Sequence, residues 1–198
     1  MDRDHESADE WKQLPWKSLE QQVFKLQKRI YRASRRGDVT TVHHLQRFLM
    51  RSWAARCLAV RKVTQDNRGK KTAGVDGVKS LVPNQRVDLA RRLTPHLRTR
   101  PVRRVWIPKP GTASEQRPLG IPTLDNRATQ TLARFALEPE WEARFEPNSF
   151  GFRPGRSGHD ALEAIFNAIR YQPKYVLDAD IAACFDRGRP FGCQTTGL

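Results

Sequence analysis

Near the N-terminus, apolar residues fall at helical spacing. Leu19, Val23, Leu26 and Ile30 recur at steps of four, three and four, a narrow seam that predicts an amphipathic helix. Gly37 stops that helix, since glycine adopts the left-handed conformation that ends many helices, and Asp38 caps the next one through its carboxylate. Val42, Leu45, Leu49 and Trp53 repeat a helical face, completing a basic helical hairpin. A loop is expected from Thr64 to Gly77, then a short helix from Arg86 to Leu97 ending near Pro95. The β-forming run Val102-Arg103-Arg104-Val105-Trp106-Ile107 predicts a strand closed by Pro108. Turn residues Gly111 to Gln116 would let Arg117 to Pro122 return as its partner. Asp125 is read as the N-cap of a helix with Ala128, Leu132, Phe135 and Ala136 on its apolar face. Ser157 and Asp160 resemble a capping box opening a helix with Leu162, Ile165, Phe166 and Ile169 as its buried side. Tyr175 to Ile181 reads as a strand carrying two acids. The fold class is therefore α+β.

Charge sharpens this outline. Lys and Arg number 36 against 21 Asp and Glu, a formal balance of +15, while apolar residues make up only 38%. Such an excess favours a polyanionic partner, because each cation that meets a phosphate releases condensed counterions. Lys25, Lys28, Arg29, Arg32, Arg35 and Arg36 lie mostly off the first apolar seam. Any one of them reads as a solvated surface residue; as a cluster they point to phosphate. Arg68, Lys70 and Lys71 sit in a loop with Gly69, Gly74 and Gly77, whose backbone could approach a polyanion closely, although the spacing is not that of a nucleotide-binding P-loop. No apolar run approaches the roughly 20 residues a spanning helix needs, so no membrane role is expected. The polar N-terminus carries no apolar signal region, and Cys57, Cys184 and Cys193 show no paired metal-ligand spacing, which fits a reducing cytoplasm.

The candidate chemistry lies near the C-terminus. Asp178 and Asp180, two residues apart on an expected strand, would share a face and present hard oxygen ligands suited to Mg²⁺. The same acids could equally end a strand or pair with an arginine.

Four segments occur in order: Ile107-Pro108-Lys109-Pro110; Arg117-Pro118-Leu119-Gly120-Ile121-Pro122; Ser149-Phe150-Gly151-Phe152-Arg153-Pro154-Gly155-Arg156-Ser157; and Leu177-Asp178-Ala179-Asp180-Ile181-Ala182-Ala183-Cys184-Phe185-Asp186. The succession resembles the fingers and early palm of group II intron reverse transcriptases/maturases. Lys71 to Gly77 is similar to that family's N-terminal extension. Residues 1–10 are expected to be disordered, and the resemblance implies the helical basic extension over 11–85 and fingers with the start of a right-hand palm over 86–186.

It also implies roles. Asp180 matches the first catalytic, metal-binding aspartate of the palm, and Ile181 would offer a backbone carbonyl to the same ion. Phe185 matches the aromatic residue against which an incoming sugar packs. Lys109 and Arg117 match the fingers cations that hold the incoming dNTP, while Arg153 and Arg156 would approach template, primer or nucleotide. The implied partners are group II intron RNA, an RNA template with its primer, and dNTP; the implied cofactor is Mg²⁺. Asp178 is expected to be a neighbour of the main ligand.

Two departures qualify the resemblance. Residues 187–198 contain Gly188, Pro190 and Gly192 where the family continues into a helix, so this tail reads as a truncation or frameshift scar. The family's Tyr-Ala-Asp-Asp segment is absent, so the chain by itself is expected to be inactive in polymerisation. The alternatives are an RNA-binding module or a non-functional pseudogene product without enzymatic role.

Overall fold

A computed structural model describes residues 10–94, 99–108, 111 and 116–179. It is α+β, with a mainly helical body and one small antiparallel sheet. The chain divides into two compact units, Met1–Glu146 and Pro147–Leu198.

In the first unit, helix α1 (Trp16–Arg35) buries Leu19, Val23, Ile30 and Ala33 along the expected seam. Gly37 ends it at φ 72°, with Gly37 N–H donating to the Ser34 carbonyl and Asp38 N–H to that of Ala33. These paired bonds satisfy carbonyls that the helix end would otherwise strand. Asp38 then accepts the Thr41 N–H at 3.0 Å, capping α2 (Val39–Arg51).

The second helix does not run on through Trp53. Ser52 is extended (ψ 137°), and its hydroxyl accepts the Ala55 N–H at 3.1 Å to start α3 (Trp53–Arg61). Trp53 therefore leaves the face expected of it and lies at the edge of exposure. Helix α3 buries Ala54, Ala55, Cys57, Ala59 and Val60, small residues that admit neighbours on several sides. It continues into a π-helical turn (Lys62–Asp66) that buries Val63 and Thr64, then a 3₁₀ turn (Arg68–Lys71).

Helix α4 spans Pro83–Arg92, earlier than the expected Arg86 start. Proline is tolerated at a first helical position, where its missing N–H would have no partner anyway. Gln85 reaches back to accept the Val82 N–H at 3.1 Å. Strands β1 (Arg103–Pro108) and β2 (Gln116–Ile121) pair antiparallel with Val105 opposite Leu119 and Ile107 opposite Arg117.

Helix α5 (Leu124–Glu142) packs against α1, α2 and α3, and buries Ala128, Leu132 and Ala136 in the shared core. Its N-cap is Thr123, whose hydroxyl accepts the Asn126 N–H at 3.3 Å; Asp125, expected to cap, sits in the first turn and pairs with Arg92 at 3.0 Å. A carboxylate there still suits the positive end of the helix dipole.

In the second unit, helix α6 (Gly158–Ile169) opens with the expected capping box, Ser157 N–H donating to Asp160 at 2.7 Å and Asp160 N–H to the Ser157 hydroxyl at 3.3 Å. Its apolar side does not become a buried side: Leu162, Ile165, Phe166 and Ile169 are all exposed. Tyr175 to Ala179 do not form the expected strand but are irregular and exposed. A strand needs a ladder partner for its N–H and C=O groups, and the described residues of this unit include none. No helix among the described residues is long and apolar enough to cross a membrane.

Candidate nucleic-acid interface

The cations of α1 follow from its geometry. At about 100° per residue, the buried seam occupies one side, and the side opposite it faces solvent. Lys25, Lys28, Arg29, Arg32, Arg35 and Arg36 are all exposed. Lys25, Arg29, Arg32 and Arg36 lie at steps of four, three and four and so form one ridge. Phe24, Lys28, Tyr31 and Arg35 form the adjoining ridge by the same spacing. None of the six cations forms a salt bridge among the described residues, and the one acid on α1 between Trp16 and Arg35, Glu20, is held by Arg61 at 3.2 Å. Arg32 and Arg35 lie in the last turn, where positive charge also suits the helix dipole. The Lys28 ammonium sits 4.8 Å from the Phe24 ring centre.

The glycine-bearing loop is built differently from its sequence expectation. Arg127 of α5 spreads its guanidinium over three carbonyls, donating to Pro122 at 2.9 Å, Gly69 at 2.9 Å and Thr72 at 2.5 Å. Burial lowers the affinity of this group for its proton, and Asp76 nearby opposes that shift. Gly74 lies so close to α5 that an added Cβ would meet the Thr123 backbone at 2.8 Å. That glycine serves contact within the chain. The cations Arg68 and Lys71 remain exposed on the outer side, and the side chain of Lys70 lies outside the described residues. Neither Arg127 nor the role of Gly74 was visible in local spacing, because each acts on residues distant in sequence.

On the sheet, Arg117 is exposed opposite Ile107, so both side chains share a face. Arg103 and Arg104 are exposed on the same hairpin. Lys109 lies outside the described residues.

In the second unit, the two arginines of the Gly-Phe-Arg-Pro-Gly-Arg-Ser stretch part ways. Arg153 is buried and donates to the Ser149 carbonyl at 2.7 Å, whereas Arg156 is exposed over the Phe150 ring at 5.5 Å. Asp178 is exposed; Asp180, Ile181 and Phe185 lie outside the described residues. Among the described residues no cluster of His, Cys, Asp or Glu stands ready to hold a metal ion. Cys57 is buried, which pushes its thiol up to about 12 and leaves it a packing residue with no thiolate chemistry near neutral pH.

Residues 11–93 match the N-terminal domain of reverse transcriptase, and residues 107–188 match reverse transcriptase (RNA-dependent DNA polymerase). Protein YkfC of Escherichia coli (strain K12) is 34% identical over 135 residues, covering 63% of this chain and 35% of that protein. Maturase-like protein 1 of Euglena gracilis is 34% identical over 143 residues, 70% of this chain and 30% of that one. Group II intron-encoded protein LtrA of Lactococcus lactis subsp. cremoris is 43% identical over 89 residues, 43% of this chain and 14% of the other. The chain thus spans roughly a third or less of the length of these relatives. Two reverse transcriptase regions matched in succession, with relatives of this kind, place the chain in the group II intron reverse transcriptase/maturase family.

Proposed function

We propose that this chain binds intron RNA through the cationic face of α1 and the outer side of the loop at residues 67–77, as part of a group II intron RNA-directed DNA polymerase/maturase. The observation that carries the reading is the set of solvent-facing cations on α1, made of Lys25, Lys28, Arg29, Arg32, Arg35 and Arg36 without a salt-bridge partner among the described residues. Unpaired exposed cations contribute little to folding, and their mutual repulsion is relieved when phosphates lie across them.

The right-hand polymerase reading of the remaining segments belongs to the same proposal. In it the hairpin is part of the fingers, with Lys109 and Arg117 holding the incoming triphosphate by charge and by the planar fork of the guanidinium. Asp180 and the Ile181 carbonyl would hold Mg²⁺, which supplies activation of the primer hydroxyl and stabilisation of the leaving pyrophosphate. Phe185 would select the sugar.

Primer extension on an RNA template with Mg²⁺ and dNTPs, beside an Asp180→Ala control, tests the polymerase part. The expected result for the 198-residue polypeptide is RNA binding without extension above the control. Extension abolished by Asp180→Ala would show that this polypeptide completes a working site. Loss of RNA preference together with no binding at moderate salt would overturn the RNA-binding part.

A further inference from the structure

Between α1, α3 and α5 lies an open cavity of about 500 Å³, walled by Val23, Phe24, Leu58 and Phe135, with Lys17, Gln27 and the Arg61-paired Glu20 in its polar lining. Phe24 is 56% exposed and Tyr31, two helical turns on, is 38% exposed, placing two rings about 10 Å apart along the helix. More than half of the Phe24 surface is left open to water at the rim of an apolar cavity, where a partner could cover it. Here it is flanked by Lys28 on its own ridge and by Lys25 and Arg29 on the next.

Aromatic faces and cations in adjoining rows are what an unpaired nucleotide needs. The base stacks or inserts on the apolar side, and the phosphates follow the charge. A duplex offers only its phosphates and grooves, since its bases are stacked on one another, and would use the cationic ridge alone. We infer that the α1 face recognises single-stranded RNA, with an unpaired base seated in the cavity against Phe24, Tyr31 as a second stacking platform, and Lys25, Arg29, Arg32 and Arg36 along the phosphates. This rests on the RNA-binding reading above and specifies the form of RNA that the surface takes.

The test compares the full chain and its variants on a single-stranded RNA of about 12 nucleotides and on a duplex of the same length, across a salt series. Phe24→Ala should weaken single-strand binding about tenfold, leave duplex binding within about twofold, and leave the salt slope unchanged. Phe24→Leu keeps the apolar bulk without the aromatic face and should show the same selective loss, while Phe24→Trp should retain binding. Equal weakening on both RNAs, or no effect of Phe24→Leu on either, overturns the proposal; the latter would leave the cavity to another occupant such as an apolar peptide. The paired change Arg29→Gln and Arg32→Gln separates the two levels. If it weakens both RNAs while Phe24 variants do nothing, only the base-stacking inference fails. If it changes neither, the RNA-binding reading fails and the inference with it.

Discussion

Pro139 removes one backbone hydrogen bond near the C-terminal end of α5, and a side chain from another helix replaces it. Proline has no N–H, so the Phe135 carbonyl four residues earlier loses its helical donor. The Gln27 side-chain amide of α1 donates to that carbonyl at 3.0 Å. One turn on, Ser34 donates to the Glu140 carbonyl at 3.1 Å, and the buried Glu140 carboxylate accepts from Gln46 at 2.6 Å and pairs with Arg144 at 2.8 Å. Gln27→Leu should therefore destabilise the chain by about 1–2 kcal/mol in urea titrations. In a Pro139→Ala background, where the helix regains its own donor, the same change should cost distinctly less; equal costs would mean that the two residues are not coupled. Asp38 and Asp160 have their carboxyl groups held below the usual range, in each case first by a side-chain hydrogen bond, to Thr41 and Ser157. A lowered folded-state value means that the caps stabilise fully above the ordinary value of 3.8 and lose this contribution as pH falls through the lowered value. Helicity followed by circular dichroism should show that loss, and Asp38→Asn, which still caps but does not titrate, should remove the α2 share of it.

Elements in this molecule are fixed by neighbours far away in sequence. The loop at residues 67–77 carries glycines and cations that read locally as flexible, yet Arg127 ties it to the start of α5 through two of its carbonyls, those of Gly69 and Thr72. Arg127→Lys keeps the charge and loses the fork, so amide exchange in residues 68–74 should quicken, by about one to two powers of ten if it loses about 1–3 kcal/mol of charged hydrogen bonding. Unchanged exchange would mean that Gly74 packing alone holds the loop. Helix α6 teaches the converse. Its apolar periodicity predicted both a helix and a buried side; the helix is present, whereas Leu162, Ile165, Phe166 and Ile169 are exposed. Periodicity specifies which side would be buried, but burial itself requires something to cover it.

At the scale of the whole molecule, the core is apolar apart from a few partnered groups such as Glu140. The core of the first unit joins α1, α2, α3, α4 and α5, so residues 124–142 of the matched polymerase region complete the packing of the N-terminal region. The excess of positive charge stays outside this core, and its consequence is a salt dependence of RNA binding. Log affinity should fall linearly with log salt, by about 0.7 per single-strand phosphate contacted. Replacing Arg29 and Arg32 by glutamine should reduce that slope by about 1–2 if each meets a phosphate, as filter binding or anisotropy across a salt series would show. An unchanged slope would place the contact surface elsewhere on the chain.

Local rules were sufficient for much of this protein. The seam Leu19, Val23, Leu26 and Ile30, the stop at Gly37, the cap at Asp38, the capping box at Ser157 and the β1–β2 hairpin were legible because each depends on residues within a few positions of one another. The ordered motifs that mark the reverse transcriptase family were legible for the same reason. What only tertiary structure decided was the clamp by Arg127, the contact that requires Gly74, and the donor that Gln27 lends to α5. Each turns on which surfaces meet across long stretches of chain. That is a matter of shape, and of satisfying backbone groups once water is excluded, which a local pattern does not contain.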